Sequence, residues 1–196
     1  MCRDYTDEPI GGADLDLILR SAFRGPSAGN TSSLDLVVLR GDSVGEYWDV
    51  TLPADRRPTF PWPSLLRAPV LVIPVVNPGA YVERYSQADK AATGLGESVD
   101  AWPVPYWFVD GGAAVMAMLL TAESLGLGAL FFGQFDHEPA VSDRFGIPSG
   151  RRSLGTLALG HPAPDGRNPS RSATRGRPDW YAHSHLGGFV APHQRL

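Results

Sequence analysis

The sequence predicts one domain that mixes helices and strands, and three observations carry that expectation. At 196 residues, with 43% of them AVILMFWYC and 22 glycines, the chain has apolar material for one sizeable core and a length inside the single-domain range. Residues 68–76, Ala-Pro-Val-Leu-Val-Ile-Pro-Val-Val, form a continuous apolar run of the kind found in a strand buried on both faces. Residues 111–126 are apolar nearly all round, with little polar face beyond Thr121, Glu123 and Ser124, which marks a central core helix or an interface helix.

In chain order, residues 13–24 place Leu15, Ile18, Leu19, Ala22 and Phe23 on one helical stripe, with Asp14 and Asp16 near the positive end of the helix dipole. Gly25 and Pro26 stop that helix, residues 27–33 read as a polar turn-rich loop, and Leu34 to Leu39 is a short β-prone run. Residues 41–67 are rich in Pro, Gly, Asp and Arg and show no period. The run 68–76 is expected as the central strand, with a proline near each end. Residues 77–105 then read as a long excursion rich in Gly, Pro, Tyr and Ser, and its aromatics suggest a cover over a flat ligand or, alternatively, packing on the central helix. Asp110 is expected to open the central helix. A strand at 127–132, a short helix at 138–145 and a strand at 154–159 follow, and residues 163–196 read as an extended arm of the same domain (1–196).

Composition narrows the function classes. A net charge of −4 disfavours nucleic acid as a partner. No run approaches the roughly 18 apolar residues of a membrane-spanning helix, and the N-terminus lacks the order of a signal peptide, so the expected location is the cytoplasm with no membrane partner. Cys2 has no internal disulfide partner, and no Cys/His group has zinc-ligand spacing. The sole lysine among 17 cations is Lys90, so an isolated arginine says less here than it would elsewhere.

Two constellations bear on chemistry. Gly25-Pro26-Ser27-Ala28-Gly29 fits the G-x-S-x-G pattern of serine hydrolases, but a helix precedes it and a strand follows, the reverse of a nucleophile elbow. A turn serine, or a loop whose polar groups face a flat ligand, fits the order better. Arg151, Arg152, Arg167, Arg171, Arg175 and Arg177 stand against Asp165 alone over residues 151–177. Such a block is either a solvated face or a phosphate grip, for which Arg175 and Arg177, two apart on an extended arm, point the same way. The pairs Gly94/Gly96 and Gly126/Gly128 lack the third glycine of a dinucleotide fingerprint.

Taken in order, five segments resemble the flavin-dependent nitroreductase family. They are Arg3 to Ile10, which is similar to the end of that family's N-terminal stretch, and Pro26-Ser27-Ala28-Gly29-Asn30, similar to its Pro-Ser-x-x-Asn loop. Asp110-Gly111-Gly112 running into Leu125-Gly126-Leu127-Gly128 resembles its central helix. Phe145-Gly146-Ile147-Pro148 and Leu157-Ala158-Leu159-Gly160-His161-Pro162 complete the order. The resemblance implies an α+β fold with a mixed central sheet flanked by helices, a homodimer built on the long central helix, and FMN at the subunit interface. It implies flavin contacts at Pro26, Ser27 and Asn30, at the turn Phe132, Gly133 and Gln134, at Arg3, and a phosphate grip by Arg175 and Arg177. It further implies ping-pong hydride transfer from NAD(P)H to a nitroaromatic, quinone or other planar acceptor. Two departures qualify this. Met1 stands where the family pattern has a serine, so its upstream arginines have no counterpart in the given chain, through a truncated start or a weaker hold on FMN. Gly133 and Gln134 replace the usual side-chain acid, leaving no catalytic side chain to nominate. A non-catalytic flavin-binding or flavin-sequestering protein is the alternative.

Overall fold

The structure, a computed structural model, describes residues 1–164 and 175–189. Three layers result from two amphipathic patterns meeting a strand that is apolar throughout. The first helix, α1 (Gly12–Ser21), buries Leu15 and Ile18, with Ala22 just beyond it, while Phe23 from the expected stripe lies past the helix end and is exposed. After a short 3-10 turn, β1 (Leu34–Arg40) leads into α2 (Asp42–Thr51), a helix in the stretch where no period was expected. Its Val44, Tyr47 and Trp48 are spaced i, i+3, i+4 and are all buried. Valine, threonine, glycine and aromatics give α2 little intrinsic helicity, so packing of that stripe is what holds it.

The central strand β2 (Val70–Val76) is buried at every position. Side-chain alternation sends Val70 and Val72 to one face, where they join Leu15, Ile18, Ala114, Val115 and Met118. Leu71, Ile73 and Val75 face Val44, Tyr47, Trp48 and Val141 on the other. Pro74 is tolerated inside this strand for a local reason. Its carbonyl accepts the Leu154 N–H at 3.0 Å, and its missing N–H falls on the same side, in the break between the segments paired with β4 (Arg152–Ser153) and β5 (Thr156–Gly160).

The remaining elements are α3 (Pro78–Tyr85), α4 (Tyr106–Ser124), β3 (Gly128–Phe132) and α5 (Glu138–Phe145). The sheet order is β1-β2-β5-β3, with β4 also beside β2. Every pairing among the described residues is antiparallel, so the helix-flanked α+β sheet is present without the mixture of strand directions that the resemblance implies. Helices α1 and α4 cover one face, α2 and α5 the other. Gly111 is where α4 crosses the sheet most closely: a Cβ there would sit 2.6 Å from Leu154 Cδ1 and 2.9 Å from Val76 Cγ1. The N-terminus is pinned by Tyr5, fully buried, whose phenol donates to the Ala158 carbonyl at 3.2 Å. No helix among the described residues is long and apolar enough to cross a membrane, and none of their His, Cys, Asp or Glu side chains form a cluster able to hold a metal.

Candidate functional site

The loop after α1 is held from three sides. Gly29 lies at φ +65°, and a Cβ there would come within 2.8 Å of the Tyr85 ring, so the position demands glycine. Asn30 follows at φ +55°, a conformation asparagine tolerates better than most residues. The Arg84 Nε donates to the Gly29 carbonyl at 2.9 Å, and the same guanidinium grips Asp89 through two contacts of 2.8 Å. Asp110 supplies the third hold. Its Oδ2 accepts both the Ala28 backbone N–H at 2.8 Å and the Tyr81 phenol at 2.7 Å.

Asp110 was expected to open the central helix, but α4 begins four residues earlier, at Tyr106. The carboxylate therefore sits one turn inside the helix, where it reaches across to the loop instead of capping its own helix. Tyr81, fully buried, also takes the Ser33 hydroxyl at 3.2 Å. Burial holds its phenol above the usual tyrosine range; the Ser33 bond opposes that and the Asp110 carboxylate adds to it. The phenol is consequently neutral at ordinary pH and donates steadily to Asp110.

These contacts wall a cleft of about 300 Å³ lined by Pro26, Ser27, Asn30, Ser32, Tyr81 and Asp110, with Phe23 and Ala114 as an apolar side. The side chains of Ser27, Ser32 and Asn30 make no hydrogen bond among the described residues, so the cleft presents free hydroxyl and amide groups on a backbone anchored at Ala28 and Gly29. No histidine among the described residues lines it, so none of them stands as a base beside Ser27.

Of the sequence-predicted contacts, the structure brings Pro26, Ser27 and Asn30 together at this cleft; the others lie outside its lining. Gln134 is buried. Its amide donates to Thr156 Oγ1 at 3.0 Å, which also bonds the Tyr47 hydroxyl at 2.7 Å, and its Oε1 has no partner among the described residues. The side chain thus anchors the turn to the core, and the turn offers outward the exposed backbone of Gly133, after the half-buried Phe132. Arg3 stacks over Trp62, 5.5 Å from the ring centroid. Arg175 and Arg177 are exposed. The rest of the basic block divides: Arg151 pairs with Asp35, Arg152 with Glu138 at 3.2 Å, while Arg167 and Arg171 lie outside the described residues.

Of the two readings of the aromatic excursion, a cover over a flat ligand or packing on the central helix, the second describes Tyr81, Trp102 and Trp107. Tyr81, Trp102 and Trp107 are buried together, with ring centroids 5.5–6.0 Å apart, and Trp102 also meets Tyr85 at 4.7 Å and donates its indole N–H to the Leu95 carbonyl at 2.9 Å. The excursion folds because Asn77 caps α3, accepting the Gly79 N–H at 3.1 Å with Pro78 at the first helical position. That Asn-Pro start was the available signal. Tyr106 of the same stretch remains exposed.

Beside the cleft lies an apolar surface that none of the described residues covers. Val109, Met116 and Leu120 on α4 are each more than half exposed, as are Leu17 and Phe23 at α1. Soluble monomers seldom leave a contiguous patch of this kind.

Layer order, a polar loop held by the long helix, and an open cleft beside that helix's exposed apolar side chains describe an α+β protein with a polar cleft at the edge of its central helix. The chain belongs to the Nitroreductase family, whose profile matches residues 1–161. It is 30% identical over 182 residues to an NADH dehydrogenase of Thermus thermophilus, a match covering 84% of this chain and 83% of that protein. Among solved structures, it shares its fold with an FMN-dependent nitroreductase of Clostridium difficile (TM-score 0.65, 16% identity, 96% and 94% of the two chains). Nitroreductase A of Vibrio parahaemolyticus is a further neighbour (TM-score 0.67, 19% identity, 97% and 73%).

Proposed function

We propose that this protein is an FMN-dependent NAD(P)H oxidoreductase that reduces flat, electron-poor acceptors such as quinones and nitroaromatics, and that it works as a homodimer of single-domain chains. The observation that carries the reading is the cleft at Ser27, Asn30 and Asp110, rigid and polar on one side, apolar on the other, and adjacent to the exposed face of α4. Free hydroxyl and amide groups opposite Phe23 and Ala114 fit a planar ring system whose edge carries hydrogen-bonding atoms. At about 300 Å³ the cleft is at the small end of ligand pockets, which fits a site completed by a second copy packed on α4. The bound flavin would supply two-electron chemistry, taking hydride from NAD(P)H and passing it on in a separate half-reaction.

This chain's own contribution is orientation and charge. Ser27 and Asn30 would bond the ring edge, Pro26 would limit its tilt, and the N–H of Gly133, an exposed residue at the turn that Gln134 anchors, would approach the ring from the other strand. Arg3 would neutralise charge near the ring, and Arg175 and Arg177 on the C-terminal arm would hold the phosphate. Purified protein should show flavin absorption and oxidise NAD(P)H in the presence of a quinone. Flavin without turnover would mean a carrier, and no flavin binding at all would defeat the proposal.

A further inference from the structure

A second cavity, of about 470 Å³, lies on the other side of the sheet, where β1 ends, α2 begins and β2 starts. None of the residues lining the described cleft contributes to it. Its wall contains three guanidinium groups, Arg40, Arg57 and Arg67, and no carboxylate. The two acids nearest in contact each occupy a single arm: Asp49 takes Arg57 Nη2 at 2.6 Å, and Asp4 takes Arg67 Nη2 at 3.4 Å. The Arg40 guanidinium has no acceptor among the described residues.

Three further features converge on this space. Gly41, Val44 and Gly45 in the wall are the N-cap and two first-turn residues of the ten-residue helix α2, which has no side-chain cap; the Val44 N–H bonds the Gly41 carbonyl at 3.1 Å, and Asp42, the one acid of that turn, stands outside the wall. Uncapped N–H groups at a helix start carry partial positive charge that an anion satisfies. Trp48 also lines the cavity; it is 94% buried, and its Nε1–H, closed off from solvent, has no acceptor among the described residues. Gly45, finally, has no atom within 4 Å of where a Cβ would stand, leaving the backbone open to a ligand.

We propose that this cavity, ringed by Arg40, Arg57 and Arg67 at the start of α2, binds a phosphate group, carried by a small phosphate ester. Planar guanidinium forks match the tetrahedral array of phosphate oxygens, and the positive end of the α2 dipole adds to their field. The volume exceeds what one phosphate fills, which leaves room for the alcohol part of an ester against Val44, Trp48 and Leu66.

The test uses the full chain loaded with FMN, so that the flavin site is already filled. Isothermal titration with inorganic phosphate and, separately, with AMP should give saturable binding of one ligand per chain. Arg40→Glu should weaken it at least about tenfold while flavin content and NAD(P)H oxidation stay level, because Arg40 touches nothing in the flavin cleft. Gly45→Leu, which fills the cavity and leaves every cation in place, should abolish it without lowering the melting temperature. Arg20→Glu, which reverses an equal charge on the exposed face of α1, should have no effect. AMP binding more tightly than phosphate identifies an ester; equal affinity identifies free phosphate as the occupant. No saturable heat with either probe, retained binding in Gly45→Leu, or equal losses in Arg40→Glu and Arg20→Glu would each overturn the proposal.

Discussion

Replacing Asp110 by alanine removes the one atom, Oδ2, on which the Ala28 N–H and the Tyr81 phenol converge. A hydrogen bond to a charged acceptor contributes about 1.5–3 kcal/mol, so the pair is worth about 3–6 kcal/mol if the bonds are independent. They are not fully so, because the loop relaxes toward water once it is released, whereas the Tyr81 hydroxyl, inside the protein, has no other acceptor among the described residues, the Ser33 hydroxyl beside it being a donor. The lower bound of about 3 kcal/mol is therefore the expected loss, a fall in Tm of about 6–12 °C for a chain of this length. Tyr81→Phe removes one of the two bonds and should cost about half as much. Differential scanning of the apoprotein gives the stability term, and titration with FMN followed by flavin fluorescence gives the site term. Both should worsen in Asp110→Ala, since the Ala28 bond fixes the loop that presents Ser27 and Asn30. A Tm within about 1 °C of the parent would refute the anchoring argument itself. A lowered Tm with unchanged FMN affinity would show that the loop, though anchored, is not the flavin contact.

Other expectations follow from the same structure. Alanine at both Arg175 and Arg177 should strip FMN by orders of magnitude in affinity with the melting temperature of the apoprotein unchanged, read from the absorbance of dialysed protein. Leu120→Glu, on the bare face of α4, should convert a dimer of twice the 21.1 kDa chain mass into monomer in sedimentation, and a parent protein already monomeric at micromolar concentration would reject the interface. Trp102→Ala should cost about 3–5 kcal/mol of stability and leave quinone KM values near the parent's, the reverse of what an acceptor-stacking cover would give. Burial pushes the Tyr47 phenol up to about 12, against the bonds from Thr156 and Gln134, while an unfolded phenol ionises near 10. The folded state therefore keeps a proton the unfolded state has lost, and stability is full below pH 10 and declines by about 1.4 kcal/mol per pH unit toward 12 from this group. Tyr47→Phe should make the alkaline branch of the stability curve shallower by that slope, measured by urea unfolding at successive pH values.

Residue type and period by themselves determined the parts of this protein whose signal is local. The apolar run around Val70–Val76 had to be central because no solvent-facing strand tolerates it, and the stripe Leu15, Ile18 and Ala22 had to face a core. The order of short motifs around Ser27, Asn30 and Gly160 was enough to place the chain in its family. Tertiary structure decided what depends on partners far apart in sequence. Helix α2 exists because Val44, Tyr47 and Trp48 find the β2 face, although its residues have little helical preference of their own. Tyr81, Trp102 and Trp107 became core once α3 and α4 closed around them. Gln134 turned inward to Thr156, and Asp110 became the anchor of the cleft, because a bond spanning 82 residues to Ala28 has no sequence period to announce it. Local pattern fixes what a segment buries, whereas the pairing of donors and acceptors across the fold is chosen only when the layers come together.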